Sequence, residues 1–420
     1  MQPEDTGNIV YDLNSLYDAY LAAKKNSDWK PQVQKYEMDF LPHIVDSKAD
    51  LRNRTYQSKE STEFIIHERC KTRPITGLQM SDRVIRHSLC DNVLTPALLS
   101  HMIYDNGASL KNKGIDFSRR RFEEHLHKYY REHKSNKGYI LLMDYSKFYD
   151  NIPHDTAYNA VAKCVDDEFS LWLLRCIFDN FKIDVSYMDD AEYEMCMEVP
   201  FNSTEYRLNI PKSAHTGEKY MRKSVNIGDQ CSQIIGIYYP TPIDNYIKIV
   251  KGQKFYGRYM DDSYVVHESR EFLQELAEEV AEKAHELGII LNPKKTHIAS
   301  LSDYYRFLQI SYSMTESGRL IRRINPKRVT DMRRKLKKLS VKVEHGERTQ
   351  EEVENMFKAW MGGHCHLMSK LQRDNLNLLY YDLFGGFIDE QYYLQYYPRR
   401  RDGNSRHYEW QQLYHGRRCG

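Results

Sequence analysis

The sequence predicts a mixed α/β (α+β) chain, an antiparallel sheet of short buried strands packed among amphipathic helices. Three observations carry this. Residues 139–143, Tyr-Ile-Leu-Leu-Met, form an apolar run too short for a helix and typical of a buried strand, and the run ends on Asp144. Phe255-Tyr256 and Tyr264-Val265-Val266 flank Tyr259-Met260-Asp261-Asp262, a strand–turn–strand pattern that presents two adjacent carboxylates. Residues 268–287 repeat Phe272, Leu273, Leu276, Val280, Ala284 and Leu287 on one side of a helix.

The remaining elements follow in order. Residues 12–48 mix Tyr, Leu and Ala at helical spacing with many charges and read as a helical extension. Residues 62–70 read as one arm of a β-hairpin. Asn106 to Gly114 is a Gly- and Lys-bearing loop, either a holder of phosphates or a plain turn, before a helix that carries Arg119, Arg120 and Arg121. A helical stretch is expected over 155–181, and an insertion, acidic then basic, over 182–222. In 326–339, Val329, Met332, Leu336 and Leu339 make a buried stripe while Arg333, Arg334, Lys337 and Lys338 stay exposed. A second helical block spans 351–383; its His364-Cys365-His366 does not place ligands on one helix face and predicts no metal.

The carboxylates carry the chemistry. Two Asp side chains at a tight turn repel one another unless a cation neutralises them. Asp144 from the strand, with Asp261 and Asp262 from the hairpin, is the minimum needed to hold two Mg²⁺ ions, with Mn²⁺ as a substitute, since these ions take hard oxygen ligands from carboxylates and substrate phosphates. Two such ions ~4 Å apart activate a hydroxyl and stabilise a leaving pyrophosphate. The implied reaction is nucleotidyl transfer.

Asp144-Tyr145-Ser146-Lys147-Phe148-Tyr149-Asp150, followed by Tyr259-Met260-Asp261-Asp262, resembles motifs A and C of reverse transcriptases. The family's other blocks have counterparts in the same order. Lys71-Thr72-Arg73-Pro74-Ile75 resembles the fingers segment that holds the incoming triphosphate, and Ile227-Gly228-Asp229-Gln230-Cys231-Ser232-Gln233 resembles motif B. Residues 287–296 resemble motif D, and Phe307-Leu308-Gln309 the primer-grip motif E, with Gln309 where the family usually has Gly. The Ile-Gly-x-x-x-Ser-Gln form of motif B is similar to that of diversity-generating and defence-associated prokaryotic enzymes.

The resemblance implies a right-hand polymerase with fingers, palm and helical thumb, and roles for individual residues. Asp144 and Asp261 would bridge the metals, Asp262 would complete the cluster, and Lys295 would donate a proton to pyrophosphate. Arg73, with Lys71, would bind the triphosphate. Tyr149 would lie under the incoming sugar and leave no room for a 2′-hydroxyl, while Phe148 would be core. Gly228 would let the backbone approach the templating base, and Ser232, Gln233, Phe307 and Leu308 would contact template and primer. Arg333, Arg334 and Lys337 would grip the product duplex through its phosphates. The expected divisions are a helical extension 1–50, fingers 51–138, palm 139–155, fingers or an insertion in them 156–222, palm 223–312, thumb 313–390 and a basic aromatic tail 391–420.

Composition is consistent with a polyanion partner only through its distribution. Net charge is +2, yet from Arg319 to Lys338 ten Lys or Arg stand against one acid, Asp331. The tail interleaves Tyr and Trp with Arg, a composition suited to unpaired bases and phosphates. Cysteines occur singly at 70, 90, 164, 176, 196, 231, 365 and 419, and no apolar run spans a bilayer, so a reduced, cytoplasmic, membrane-free protein is expected. Expected partners are deoxynucleoside triphosphates, a noncoding RNA template and its cDNA, with an accessory protein or a second copy as further candidates. The leading function is RNA-directed DNA synthesis in antiphage defence; the alternatives are a diversity-generating enzyme, an RNA-dependent RNA polymerase, and a noncatalytic RNA-binding module.

Overall fold

The computed structural model describes residues 7–68 and 71–385; the expected tail 391–420 lies outside the described residues. The described residues form two compact units, one reaching Leu308 and including Ser313–Leu320, the other made of Gln309–Tyr312 and residues 321–385.

The first unit opens with helices α1 (Leu13–Lys24), α2 (Pro31–Met38) and α3 (Phe40–Arg52). The Asp12 carboxylate accepts from the Asn14 and Ser15 amides and so starts α1, whose Leu16, Ala19, Tyr20 and Ala23 are buried. A hairpin follows, β1 (Thr62–Glu68) antiparallel to β2 (Lys71–Gly77), with Ile66 opposite Arg73. Helix α4 (Met80–Leu89) runs through a π-turn at Cys90–Leu94 into α5 (Thr95–Leu99), and α6 (Ile115–His133) leads to β3 (Tyr139–Met143).

Beyond β3, the helical stretch expected over 155–181 is two helices, α7 (His154–Ala162) and α8 (Glu168–Phe181). The break arises because the Asp167 carboxylate accepts the Ser170 amide and begins a new helix. The insertion contains β4 (Ile183–Asp184), α9 (Asp190–Glu198), α10 (Ser203–Asn209) and β5 (Tyr220–Met221) around a small core of its own, with Val185, Phe201 and Met221 at its centre. Helices α11 (Gln230–Tyr238) and α12 (Thr241–Asn245) follow, the latter continuing as a π-turn over Tyr246–Val250.

The central sheet is then completed by β6 (Tyr256–Tyr259), β7 (Asp262–His267) and, after α13 (Arg270–Glu286), β8 (His297–Ser300), in the order β6-β7-β3-β8. Every pairing is antiparallel. Both faces are covered, which is why residues 140–143 read as an unbroken apolar run. Leu141, Met143 and Val265 join the main core with Leu273, Leu276 and Val280 of α13, while Tyr264 meets Phe122 of α6 edge-on at 4.7 Å.

Strands β9 (Tyr305–Phe307), β10 (Ile310–Met314) and β11 (Leu320–Ile324) precede α14 (Pro326–Glu344). Val329, Met332 and Leu336 are buried along α14, and Arg333, Arg334, Lys337 and Lys338 are exposed, as the periodicity predicts, whereas Leu339 is only half-buried and Ser340 takes the buried position beside it. The block expected over 351–383 is two helices, α15 (Gln350–His364) and α16 (Lys370–Phe384). A 3-10 turn at Cys365–Leu367 separates them, and a Ser369–Gln372 capping box restarts the second. His364 is engaged by the Arg328 guanidinium at 2.8 Å and the Trp360 carbonyl at 2.7 Å.

Candidate active site

The sheet register assembles the acids. Met143 pairs with Ser263, and one step further along both strands Asp144 leaves β3 beside Asp262 at the start of β7. Tyr259 pairs with Asp262, so Met260 and Asp261 form a two-residue turn. Such a turn demands a left-handed residue, and Met260 adopts φ +55° although it has a side chain.

Two contacts hold that strained turn. Arg258 Nη1 donates to the Met260 carbonyl at 3.0 Å, and Tyr149 places its hydroxyl 3.7 Å from the Met260 sulfur. Arg258 is wholly buried, and its Nη2 donates to Asp244 Oδ2 at 2.6 Å and to the Ile237 carbonyl at 2.7 Å. Tyr256 donates its hydroxyl to the same Asp244 carboxylate at 2.5 Å. A guanidinium fixed at this many points over-determines the turn, which is how local strain persists at working sites. Neither Arg258 nor Asp244 was expected from the sequence; the signal lay in charged residues standing inside apolar runs.

The acids form an electrostatically loaded pair. Asp144 is buried, its carbonyl accepts the Asn292 amide at 2.7 Å, and its carboxylate receives both Asn292 Nδ2 at 3.4 Å and the Lys295 ammonium at 2.7 and 2.6 Å. Burial, followed by the charges of Asp261 and Asp144 and only partly opposed by Lys295, pushes the Asp262 carboxyl up to about 7. Near neutrality, Asp262 therefore takes a proton or a cation.

These donors fit a hard divalent cation. The Lys295 ammonium already stands as a positive charge on Asp144, where a cation would be attracted. Among the described residues no group of three or more His, Cys, Asp or Glu side chains is placed to hold a metal ion. Mg²⁺ commonly takes one or two carboxylates and completes its shell with water and substrate phosphates, so an open carboxylate pair suits it.

The other expected residues are distributed as follows. Tyr149 packs edge-on against Phe148 at 5.6 Å, and Gly236 of α11 leaves room for its ring, since a Cβ there would lie 3.1 Å from the hydroxyl. Phe148 is core, as expected. Arg73 is exposed on β2; Lys71 opens that strand, its side chain outside the described set. Gly228 has φ +110°, and a Cβ there would meet Ile75 Cγ2 at 3.2 Å and the Thr76 carbonyl at 3.3 Å. Within the chain the close approach that this glycine permits is to β2 itself, and the Thr76 amide bonds the Ile227 carbonyl at 3.2 Å.

Two other placements differ from expectation. Ser232 lies wholly buried on α11, whose Cys231, Ile234, Ile235 and Ile237 are buried as well, so its hydroxyl faces the interior and not a template; Gln233 is the exposed neighbour. Phe307 and Leu308 are also buried, Phe307 stacking on Phe122 at 4.7 Å. Their backbone is engaged as well: Arg119 Nη2 donates to the Leu308 carbonyl at 2.8 Å, and Leu308 and Gln309 have φ +44° and +73°. Gln309 thus adopts the left-handed conformation for which the family uses glycine.

Arg333 and Lys337 are exposed on α14 in the second unit, as is Arg334, which lies 3.8 Å from Asp331. In the first unit the sequence also left unseen a buried ion pair between Arg86 of α4 and Asp229, which caps α11 by accepting the Cys231 amide at 3.0 Å.

No curated protein matches the chain. Among solved structures it is similar to apo telomerase from Candida tropicalis, with 13% identity and a TM-score of 0.39 over 63% of this chain, and it spans 49% of that one. A family model described as reverse transcriptase (RNA-dependent DNA polymerase) matches residues 59–343. That segment holds the hairpin β1–β2, the acids Asp144, Asp261 and Asp262, and Lys295, and the chain belongs to the reverse transcriptase family.

Proposed function

We propose that the chain is an RNA-directed DNA polymerase that copies a dedicated noncoding RNA with two Mg²⁺ ions and acts in bacterial antiphage defence. The observation that carries the polymerase reading is the convergence of Asp144 and Asp262 at one end of the sheet, beside a turn that carries Asp261 and rests on Tyr149. When bound, the divalent ions would activate the primer hydroxyl and neutralise charge on the leaving pyrophosphate. The chain's own residues do the rest. Asp144, Asp261 and Asp262 would hold the ions, and Arg258 fixes the turn that carries Asp261 and leads into Asp262. Tyr149 crowds the 2′-position of the incoming sugar, and Arg73 supplies charge for the triphosphate. Lys295, which rests on Asp144, would be the proton donor to the leaving group.

The defence role rests on the Ile227-Gly228-x-x-x-Ser232-Gln233 form of motif B, which also favours a diversity-generating enzyme as the second reading. One experiment tests both. The protein is purified with its genomic neighbourhood intact, supplied with Mg²⁺ and labelled deoxynucleotides, and its RNA and DNA are sequenced. DNA complementary to one co-purifying RNA is expected, and scattered sequence changes in it would favour the second reading. No DNA from the wild type, or equal DNA from Asp261→Asn, overturns the proposal.

A further inference from the structure

We propose that the outer face of α6 is a second nucleic-acid track, which holds a single strand by its phosphates and one base outside the polymerase cleft. The face is one helical stripe: Phe117, Arg121, Lys128 and Arg131 fall at spacings of four, seven and three, so they share a side, with one acid among them, Glu124, ion-paired to Arg121, while Ser118, Phe122, Leu126 and Tyr129 are buried on the other. At the rise of an α-helix the stripe is about 21 Å long, room for roughly six phosphates at the ~3.4 Å spacing of a stacked strand.

One end is aromatic and basic. Tyr104 is 65% exposed and meets Phe117 edge-on at 5.6 Å. Lys113 lies 5.1 Å from the centre of the Tyr104 ring and 5.2 Å from that of Phe117, and Arg121 lies 5.1 Å from Tyr104. A large ring kept in water between cations suits a nucleotide, whose base lies on the ring and whose phosphate meets the charge.

The other end is a cavity of about 620 Å³ lined by Arg121, Lys128, Arg131, Lys248 and Lys254 against only Asp105 and Glu132. Those acids are already neutralised. Asp105 receives Arg121 at 2.7 Å and Lys248 at 3.0 Å, and Glu132 receives Lys254 at 2.7 Å. Lys128 and Arg131 make no ion pair or hydrogen bond among the described residues. A cleft with uncompensated cations recruits an anion, and Arg121 belongs to both ends, so cavity and aromatic site form one surface. Phe255, which lines the cavity, precedes β6, and the Met260–Asp261 turn follows it, so the strand of about 13 Å separates this surface from the acids.

The test uses the full chain, labelled 20-nucleotide RNA and DNA single strands, and a blunt template–primer duplex added in excess to fill the cleft. In anisotropy titrations, Lys128→Gln/Arg131→Gln is expected to lower the slope of log affinity against log salt by about 1.4, two contacts at ~0.7 each. Tyr104→Ala is expected to weaken binding about 5- to 150-fold, the equivalent of one lost base stack at about 1–3 kcal/mol. 5-Iodouridine RNA should cross-link to the peptide holding Tyr104 or Phe117, and extension of a short preformed template–primer should be unchanged in each variant. RNA bound more tightly than DNA identifies the template as the strand, and the reverse identifies the product. Unchanged affinity and slope without cross-links overturns the proposal, as does full displacement of the strand by free ATP, which would make the cleft a small-molecule site. The readout is binding, so a chain that proved unable to polymerise would still pass or fail it.

Discussion

Lys295 and Asp144, 151 residues apart in the chain, are joined by a two-point ion pair, with the ammonium 2.7 Å from Oδ1 and 2.6 Å from Oδ2. The lysine occupies charge space that a divalent cation would use, so the two compete. A pair with one half-exposed partner contributes on the order of 1 kcal/mol. Lys295→Met should therefore tighten Mn²⁺ binding about fivefold, read by electron paramagnetic resonance of free Mn²⁺, while slowing nucleotide addition. Weaker Mn²⁺ binding in the variant would show that Lys295 supports the metal site instead of guarding it.

Arg258 acts on the acids through the Met260 carbonyl. Lysine at this position keeps the charge and loses the fork that reaches Asp244, Ile237 and Met260 together. Arg258→Lys should slow primer extension about 100-fold, the cost of misplacing reacting groups by roughly 1 Å. It should also raise the Mg²⁺ concentration needed for half-maximal rate. A variant with a lowered melting temperature but wild-type Mg²⁺ dependence would reduce Arg258 to a merely structural residue.

The contrast between Arg258 and Asp261 shows what the sequence makes legible. Asp144 and the Tyr259–Asp262 turn were readable because acids at the ends of apolar runs have few structural uses, and the hairpin β1–β2, α13 and α14 because their periodicities are local. Lys295 on Asp144 and Arg258 on Asp244 are tertiary pairings, and nothing in residue spacing specifies them. Ser232, Phe307 and Leu308 were misplaced for a different reason. A motif identifies the residue that matters without saying whether its side chain or its backbone does the work. The all-round apolar character of Cys231, Ile234, Ile235 and Ile237 already pointed to a buried helix.

Arg86 and Asp229 are both about 1% exposed, and the guanidinium also reaches Asn180 Oδ1 at 2.7 Å and Ser58 Oγ at 3.1 Å. Removing one member leaves the other charge buried, so Arg86→Met or Asp229→Leu alone should cost about 3–5 kcal/mol in urea unfolding. Removing both should cost less than the sum of the two. Additive losses would mean that the pair is not coupled.

His125 supplies the pH dependence. It is buried, its Nδ1 lies 2.9 Å from the Tyr264 hydroxyl, and burial lowers its pKa to about 4 against the partial opposition of Asp105. The unfolded chain, near 6.5, therefore binds the proton more readily between about pH 4 and 6.5, so this residue's contribution is present above that window and is lost as pH falls through it. The loss reaches at most about 3 kcal/mol. Urea unfolding at pH 7 and pH 5 should show a drop in wild-type stability that His125→Gln reduces. An equal drop in the variant would assign the effect to other groups.

Tyr149 and Gly236 make a linked prediction about sugar selection. The Tyr149 ring is held between Phe148, Met260 and the bare Cα of Gly236, and a methyl at 236 would press on the ring at 3.1–3.3 Å. If the ring bars the 2′-hydroxyl, Tyr149→Ala should admit ribonucleotides, raising their incorporation relative to deoxynucleotides by about 100-fold, the few kcal/mol that a steric clash withholds. Gly236→Ala cannot enlarge the pocket; it drives the intact ring outward and should lower incorporation of both nucleotides without opening the gate. Single-nucleotide extension with each triphosphate separates the two effects. A Tyr149→Ala enzyme that still rejects ribonucleotides would move discrimination away from this ring, and a Gly236→Ala enzyme that behaves as wild type would show that the ring is not confined by α11.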